Sequence, residues 1–509
     1  MKNDKPNILL IMTDQMTPMM LGAYGSTVAR TPNIDRLARE GILFANAYTS
    51  CPICAPARMS LLTGKYVSNC NSNDNTSILP SDEPTHNHYL TIAGYDAVLS
   101  GKLHAVGPDQ LHGFARRLTT DVYPADFNWL GNCRPEPGRF AAAHKFPNAV
   151  DYVTEGVGVR QWSLQLDYDE ETHFRALEYL RTKRSQPSGT LQKPIPERDD
   201  TPFFLQVAYQ HPHEPFHCLQ KHWDLYEGVD IPIPEYPEEL EPHYTAMDRD
   251  LAKKHGTAEV DLMEPDSLRN LHRAYLASIS YCDEKVGALL QALEDYGLAD
   301  ETVVIFTTDH GDMLGHRGMV QKRSFYEYSS RIPLIFRFPK NHPMGAPGTV
   351  CKDPVNIVDL CPTILELVGI TDYLPVDGAA LLPQLRGERD PERHVFCENH
   401  SESVTGTCFM VRKGRYKYNY IYQREAQLFD IEADPGEWNN LSGRPEHRET
   451  ERELKDLILA RFDPDKIDRE LTANIAKRKV IRKALETAGG PNWAYQPFFD
   501  ASRQYWRTG

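Results

Sequence analysis

The sequence predicts an α/β fold in which helices flank a large β-sheet, followed by a smaller C-terminal α+β domain. Continuous apolar runs of strand length alternate with helical segments through residues 1–385. Two of these runs end in an acidic residue, as expected for strands that deliver ligands to one edge of an open sheet. From about residue 386 to 509 the pattern changes to short segments separated by turn residues, which indicates a second domain with antiparallel strands.

The first predicted strand is the apolar run of residues 7–12, which ends just before Asp14. Residues 31–41 follow as a helix, because a capping threonine opens an apolar pattern of helical spacing that stops at a glycine. A long helix over residues 268–293 leads into a later apolar run that ends in Asp309. Further strands of the same buried kind are predicted at residues 95–100, 203–209 and 303–308.

A Pro-rich, acidic stretch over residues 187–242 is predicted to be an excursion from the sheet edge, with a linker as the alternative. Beyond a helix-like segment at 356–369, the C-terminal domain shows antiparallel strand patterns. A charged helical stretch over 450–488 and an aromatic tail over 493–506 complete it. Because that tail needs a surface to pack on, we expect a homo-oligomer, a dimer or a tetramer. The antiparallel patterns lie at residues 394–397, 408–411 and 416–420.

The composition excludes several function classes. The 509 residues include 56 Lys and Arg against 71 Asp and Glu, a net charge of −15. Such a chain is repelled by nucleic-acid phosphates and anionic membrane surfaces. No apolar run reaches the roughly 18 residues of a membrane span, and the start lacks a signal peptide. With ten cysteines in so long a chain, we expect a soluble cytoplasmic protein with reduced thiols and no nucleic-acid or membrane partner.

Cys51 and Cys54 have the C-x-x-C spacing of redox pairs and zinc sites. A zinc site would need a second such pair, and the chain has none. A thioredoxin-like pair would need the matching fold. The residues after Cys54 favour a third interpretation, because Pro56 and Arg58 follow it at fixed spacing and a helix-compatible stretch comes next.

The segment Cys54-Ala55-Pro56-Ala57-Arg58, with a Leu-Thr-Gly stretch after it, resembles the signature of type I sulfatases. Five further segments fall in that family's order across nearly the whole chain. They are residues 6–9 with Asp14, Gly101-Lys102-Leu103-His104, Pro212-His213-Glu214-Pro215, Thr308-Asp309-His310-Gly311-Asp312, and Leu428-Phe429-Asp430 with Asp434-Pro435-Gly436-Glu437.

The resemblance implies an alkaline phosphatase-like fold, with a large mixed sheet in a catalytic domain over residues 1–385. It implies that a formylglycine-generating enzyme oxidises Cys54 to Cα-formylglycine. The aldehyde hydrate carries two hydroxyls on one carbon, so one can attack sulfur while the other later expels sulfate. The implied activity is that of a sulfuric ester hydrolase acting on a small-molecule sulfate ester.

By the same resemblance, Asp14, Gln15, Asp309 and His310 would bind a divalent metal. Carboxylate and amide oxygens favour Ca²⁺, while Mg²⁺ and, because of the imidazole, Mn²⁺ are alternatives. The family usually has Asp-Asp and Asp-Asn where this chain has Asp-Gln and Asp-His. Asp312 is expected to lie behind the metal ligands rather than among them.

The resemblance assigns the remaining catalytic roles to cationic and imidazole side chains. Arg58 and Lys102 would neutralise developing charge, and His104 would take the proton that drives sulfate elimination. His213 and Lys322 would hold sulfate oxygens and protonate the leaving alkoxide. A general acid matters most for an alkyl alcohol, because an alkoxide is a poor leaving group.

Within the family, the segments around Asp74, residues 99–114, residues 118–129 and the C-terminal tail are most similar to choline sulfatases. A quaternary ammonium is recognised by aromatic faces and carboxylates, so Trp129 and Glu398 are the predicted contacts, with Asn75 nearer the sulfate. The alternatives are an arylsulfatase, a phosphonate monoester or phosphodiester hydrolase, and a non-catalytic sulfate-ester-binding protein with unconverted Cys54. The chain departs from choline sulfatases at residues 139–146, where it has fewer aromatic residues and additional basic residues.

Overall fold

The computed structural model of the chain describes residues 5–134, 157–183, 200–255, 264–340, 342–344 and 346–488. The predicted features at residues 139–146, 187–199 and 493–506 lie outside these ranges.

The strands are β1 (Asn7–Thr13), β2 (Ile42–Phe44), β3 (Ala47–Tyr48), β4 (Asp96–Gly101), β5 (Arg116–Arg117), β6 (Gly158–Val159), β7 (Phe203–Ala208), β8 (His217–Cys218), β9 (Thr302–Thr308), β10 (Arg331–Ile332), β11 (Leu334–Arg337), β12 (Thr349–Cys351), β13 (Val355–Asn356), β14 (His394–Asn399), β15 (Cys408–Lys413), β16 (Tyr416–Ile421) and β17 (Ala426–Asp430).

Helices alternate with these strands, as the sequence predicts. Among the described residues, none of the helices has the length and apolarity that a membrane span requires. The helices are α1 (Pro32–Glu40), α2 (Cys54–Thr63), α3 (His86–Ile92), α4 (Leu164–Thr182), α5 (Gln220–Trp223), α6 (Ala246–His255), α7 (Pro265–Asp295), α8 (Glu327–Ser330), α9 (Leu360–Leu367), α10 (Leu382–Leu385), α11 (Arg448–Arg461) and α12 (Pro464–Ala488).

The main sheet has eight strands in the order β12-β2-β11-β9-β1-β7-β4-β5. Strand β1 lies at its centre and runs parallel to both neighbours, β7 and β9. Strand β11 is antiparallel to β9 and β2, so the sheet is mixed. The expected large mixed sheet flanked by helices is therefore confirmed. Residues 209–242 leave it after the interior strand β7 rather than at an edge, which corrects the predicted course of the excursion.

Both faces of the central strand are covered by helices. Leu9 and Ile11 pack with α1, α4 and α7 on one face. Ile8, Leu10 and Met12 pack with α2, α3 and α9 on the other. A strand buried on two faces gains from apolar residues at every position, which explains the uninterrupted apolar run in the sequence.

A second sheet, β14-β15-β16-β17, is antiparallel throughout. Cys397 and Met410 on one of its faces pack with Met247 and Met319 from the first 385 residues. The opposite face packs on α11. The three predicted antiparallel segments are confirmed, and β17 is a fourth. The charged stretch over 450–488 is helical as predicted, and it comprises two helices, because α11 ends at Arg461 and α12 begins at Pro464.

Candidate active site

Two parallel neighbouring strands bring distant acidic residues together. Asp14 follows β1, and Asp309 follows β9, whose Thr308 pairs with Thr13. Both carboxylates are fully buried. The adjacency expected from the two acid-ended strands is therefore present, and the carboxyl ends of β1 and β9 form the floor of a candidate active site.

The two oxygens of each carboxylate have different surroundings. Oδ2 of Asp309 accepts from Nε of Arg58 at 2.9 Å. Oδ2 of Asp14 accepts from Nη2 of Arg58 at 3.2 Å and from the ammonium of Lys102. Oδ1 of both residues lies instead within 3.9 Å of the imidazole Nε2 of His310. Each carboxylate thus balances a cation through Oδ2, while its Oδ1 faces the imidazole, and Oδ1 of Asp309 also accepts from the backbone N–H of His310 at 3.0 Å.

Cys54 completes this arrangement as the first residue of α2. Its Sγ lies 3.1 Å from Nε2 of His310 and 3.8 Å from Oδ1 of Asp14. The ligand atoms of Asp14, Cys54, Asp309 and His310 all lie within 4.8 Å of one another. Two carboxylates and an imidazole around one point suit a divalent cation. All ten cysteines are free, Cys51 included, so Cys51 and Cys54 do not form a disulfide.

Helix α2 sets the position of Arg58, one turn after Cys54 on the same face. Nη1 of Arg58 also donates to the carbonyl of Lys102 at 2.9 Å, which ties α2 to the end of β4. Burial alone would raise the pKa of Asp14, but the charges of Lys102, His213 and Arg58 hold it well below its ordinary value. Asp14 is therefore a carboxylate at neutral pH.

Gln15 directs its side-chain amide toward a second group of residues. Its Nε2 donates to carboxylate oxygens of Glu214 and Asp312, and its Oε1 accepts from the ammonium of Lys322. The backbone N–H of Gln15 donates to Oδ1 of Asp309 at 3.1 Å. Gln15, a predicted metal ligand, therefore connects the metal-binding group to the residues around Lys322. Asp312 lies behind the metal-binding group, where it accepts from Nε2 of Gln15.

His213 and Lys322, predicted to act on the leaving group, are neighbours. Nζ of Lys322 lies 2.6 Å from Nε2 of His213, and both side chains are buried. Burial would raise the pKa of Glu214, but His213 and Lys322 lower it to about 2. Burial would lower the pKa of Lys322, whereas Cys54, Glu214 and Asp14 raise it above the ordinary value. Lys322 is thus an ammonium whose charge Glu214 supports.

His104 lies in an aromatic group on the other side. Its ring centroid is 4.8 Å from that of Tyr123 and 5.5 Å from that of Trp129. Neither ring nitrogen has a hydrogen-bond partner among the described residues, although the side chain is buried. Burial and the charge of Lys102 lower its pKa well below the ordinary value. A neutral imidazole in this position can accept a proton.

The three predicted substrate contacts, Asn75, Trp129 and Glu398, lie in three different environments. Oδ1 of Asn75 accepts from the N–H of Ala55 at 3.0 Å, which holds Asn75 against the first turn of α2. Trp129 belongs to the aromatic group of His104 and Tyr123. Glu398 is fully buried, and its carboxylate binds Nε2 of His400 at 2.7 Å.

Sequence reasoning missed a polar network beside Cys54. Arg323 donates through Nε and Nη2 to Oε1 of Glu402 at 3.0 and 2.6 Å. Oε2 of Glu402 accepts from the N–H of Asn75 at 3.2 Å. The N–H of Arg323 donates to the carbonyl of Pro52 at 3.1 Å, so the network encloses the turn that carries Cys54. The available signal was the position of Arg323 directly after Lys322.

Comparison with known proteins identifies several similarities over most of the chain. A family model described as Sulfatase matches residues 6–370, and one described as N-sulphoglucosamine sulphohydrolase, C-terminal, matches residues 315–462. A choline-sulfatase of Rhizobium meliloti is 36% identical over 518 aligned residues, covering 100% of this chain and 97% of the relative. An arylsulfatase of Clostridium perfringens is 28% identical, covering 90% and 95%. The crystal structure of the phosphonate monoester hydrolase of Agrobacterium radiobacter matches with a TM-score of 0.71 at 22% identity, covering 90% and 95%, which shows a shared fold.

Proposed function

The chain belongs to the sulfatase family, and on that premise we propose that it hydrolyses a small alkyl sulfate ester through Cys54 converted to Cα-formylglycine. One observation carries this proposal: Cys54 begins a buried helix with two carboxylates and an imidazole on one side and with Arg58 and Lys102 within the same group. A non-catalytic binding protein would have no need of proton donors and acceptors on both sides of the ester.

In the first step, one hydroxyl of the hydrate that residue 54 would carry gives up its proton to solvent and attacks sulfur, and the bond from sulfur to the alcohol oxygen breaks. The alcohol leaves with a proton from the His213 and Lys322 pair, whose nitrogens are 2.6 Å apart. Arg58 and Lys102 stabilise the negative charge that develops around the transferred group.

In the second step, the remaining hydroxyl of residue 54 loses its proton to His104. The carbon–oxygen bond to sulfate breaks, sulfate is released and the aldehyde forms again, ready to add water. The absence of hydrogen-bond partners on the buried His104 imidazole, among the described residues, supports this role, because the ring nitrogens remain available to the substrate complex.

The side chains of Asp14, Asp309, His310 and, on the sequence resemblance, Gln15 would hold a divalent cation, with Ca²⁺ first and Mn²⁺ or Mg²⁺ as alternatives. Such a cation supplies positive charge that lowers the pKa of a hydroxyl bound near it. The donor set supports this assignment, because Oδ1 of both aspartates lies near the same imidazole nitrogen.

Choline-O-sulfate is the first alkyl ester to assay, because the relative that matches the full chain is named a choline-sulfatase. The aromatic group of Tyr123 and Trp129 supports a substrate with an apolar or quaternary ammonium surface. An aryl sulfate and a phosphonate monoester are the second candidates, favoured by the arylsulfatase relative and by the shared fold.

Maturation requires a formylglycine-generating enzyme as a transient partner. The Cys54 side chain is about 1% exposed in the fold, so we infer that conversion takes place before the chain folds. The homo-oligomer predicted from the aromatic tail belongs to this proposal and is tested by sedimentation.

The testing experiment is mass spectrometry of the tryptic peptide 40–58, combined with sulfate release from choline-O-sulfate and from an aryl sulfate. Conversion lowers the peptide mass by about 18 Da relative to cysteine. We expect the converted peptide together with turnover. An unconverted thiol without turnover, from a host that contains the converting enzyme, would contradict the proposal.

A further inference from the structure

The helix that begins at Cys54 receives its N-terminal cap from another part of the chain. The first N–H groups of a helix have no acceptor within that helix. The residue before the helix normally supplies a side-chain acceptor, but before α2 it is Ile53, which has none. Oδ1 of Asn75 takes this role, because it accepts from the N–H of Ala55 at 3.0 Å. The orientation of the Cys54 turn therefore depends on how Asn75 is held.

The residues on both sides of Asn75 are bound by one arginine of the C-terminal helix α12. Nη1 of Arg478 donates to Oδ1 of Asp74 at 2.5 Å, and Nη2 donates to Oδ2 at 3.0 Å. Nη1 also donates to Oγ1 of Thr76 at 2.6 Å. A planar guanidinium that binds both oxygens of a carboxylate fixes the orientation as well as the distance of its partner. Arg478 therefore holds the segment of residues 74–76 in one orientation.

Asp74 and Arg478 form a buried ion pair that has no role left for a substrate. Asp74 is fully buried, and Arg478 is about 4% exposed. Burial would raise the pKa of Asp74, but the charge and the hydrogen bonds of Arg478 hold it below its ordinary value. Ser401 donates to Oδ2 of Asp74 at 2.7 Å, and Thr76 donates to Oδ1 at 2.8 Å. Because protein donors surround both oxygens, this carboxylate holds the chain rather than binding a ligand.

Helix α12 also packs behind a second predicted substrate contact. Leu471, Ile475 and Arg478 are buried at intervals of four and three residues, which places them on one side of the helix. Leu471 and Ile475 pack with Leu130, the neighbour of Trp129. The same side of the helix therefore supports the chain next to Trp129 and the segment that Arg478 binds.

We propose that Arg478 is a positioning residue for the reaction at residue 54. Its hydrogen bonds to Asp74 and Thr76 hold Asn75 against the first turn of α2, and that cap keeps residue 54 directed toward the two carboxylates and the imidazole. This inference rests on the proposed sulfatase function, and it gives the C-terminal helix a part in the active site.

A double-mutant cycle tests this role. Arg478→Lys keeps the buried positive charge, but an ammonium cannot bind both oxygens of Asp74 in the same fixed geometry. We expect kcat/KM per folded and converted molecule to fall about tenfold, for the faster of choline-O-sulfate and an aryl sulfate. Asn75→Ala should lower kcat/KM about 100-fold. In that background Arg478→Lys should change kcat/KM by less than about twofold, because the side chain that Arg478 positions is gone.

A second variant tests the same link if Arg478→Lys does not fold. Thr76→Val keeps the size of the side chain and removes the hydroxyl that accepts from Arg478. We expect it to lower kcat/KM about threefold, and to have no effect in the Asn75→Ala background. The matched control is Arg482→Lys, one turn further along α12, where the arginine binds Glu486 of the same helix and kcat/KM should not change. Equal losses with and without the Asn75 side chain would show that Arg478 only stabilises the fold, which overturns the inference.

Hydrogen–deuterium exchange separates this inference from the proposed function, because it needs no turnover. Asn75 protects the N–H of Ala55, so Arg478→Lys should speed exchange of that N–H about tenfold or more, while the amides of β1 keep their parent rates. The exchange is followed in overlapping peptic peptides over residues 50–64. If it depends on Arg478 but no sulfate is released, the sulfatase proposal fails and the link from α12 to α2 stands. If sulfate is released but neither the exchange nor the cycle depends on Arg478, the sulfatase proposal stands and the positioning role fails.

Discussion

Two buried clusters of charge in this molecule have nearly the same composition and different geometry. The site cluster consists of Asp14, Cys54, Arg58, Lys102, Asp309 and His310. The sheet cluster consists of Tyr48, Glu327, Arg412, Lys417 and Glu437. Each has two carboxylates and two cations, and every side chain in both is about 3% exposed or less.

In the sheet cluster an ammonium lies between the carboxylates. Nζ of Lys417 is 3.1 Å from Glu327 and 2.8 Å from Glu437, and Tyr48 donates to Glu327 at 3.0 Å. In the site cluster the cations bind the outer oxygens, and the inner oxygens lie near an imidazole nitrogen and a thiol. Burial and charge are therefore common to both clusters. The candidate active site differs because Oδ1 of Asp14 and Oδ1 of Asp309 face the same place with no lysine or arginine side chain between them.

The largest effect should come from removing the nucleophile of the site cluster. Cys54→Ala deletes the residue that becomes formylglycine, so we expect kcat/KM to fall by about 10⁴-fold or more, to the background rate. The free energy of unfolding, measured in urea, should change little, because the sheet cluster and both cores are intact. Substantial sulfate release by this variant would show that Cys54 is not the nucleophile.

A smaller but selective effect is expected for Lys322→Met. Loss of a general acid typically costs about 10²–10⁴-fold in rate. The loss should be near the upper value for an alkyl sulfate and lower for an aryl sulfate, whose alcohol leaves readily as an anion. The measurement is kcat for both esters on the converted protein. Equal losses on the two would mean that Lys322 binds the sulfate without protonating the leaving group.

Lys417→Met tests the sheet cluster by its effect on stability. Without the ammonium, Glu327 and Glu437 are buried together with reduced compensation, which should lower the free energy of unfolding by about 3–5 kcal/mol. The control is Lys413→Met on β15, whose partners Glu392 and Glu453 are exposed, with an expected loss of about 0–1 kcal/mol. The rate per folded molecule should stay unchanged. A loss of activity without a loss of stability would contradict the assignment of the sheet cluster to stability rather than to catalysis.

The sequence predicted the site cluster better than the sheet cluster, for a physical reason. Asp14 and Asp309 end buried strands, and Cys54 has Pro56 and Arg58 at fixed spacing, so local patterns reveal them. Lys417 alternates with tyrosines in β16 like any outward-facing strand residue, and only the packing of that face on residues around Tyr48 makes it buried. Arg323 was missed similarly, because its partner Glu402 is distant in sequence.

The smallest effect at neutral pH, and the sharpest test of how the pocket supports its proton donor, should come from Glu214→Gln. Glutamine has nearly the same size and shape, and its one acceptor oxygen can replace the oxygen that accepts from Gln321 or the one that accepts from Gln15. The pKa of Lys322 is raised by Cys54, Glu214 and Asp14 against the lowering effect of burial. Removal of one negative charge therefore lowers that pKa.

At pH 7 Lys322 remains protonated in both proteins, so kcat should differ little. As the pH rises, the variant should lose its proton donor first, and the alkaline limb of the profile of kcat against pH should move to lower pH. Glu238→Gln makes the same change in net charge at an exposed position and should leave that limb in place. If Glu214→Gln does not move the limb, or moves it to higher pH, the group that protonates the alcohol is not Lys322.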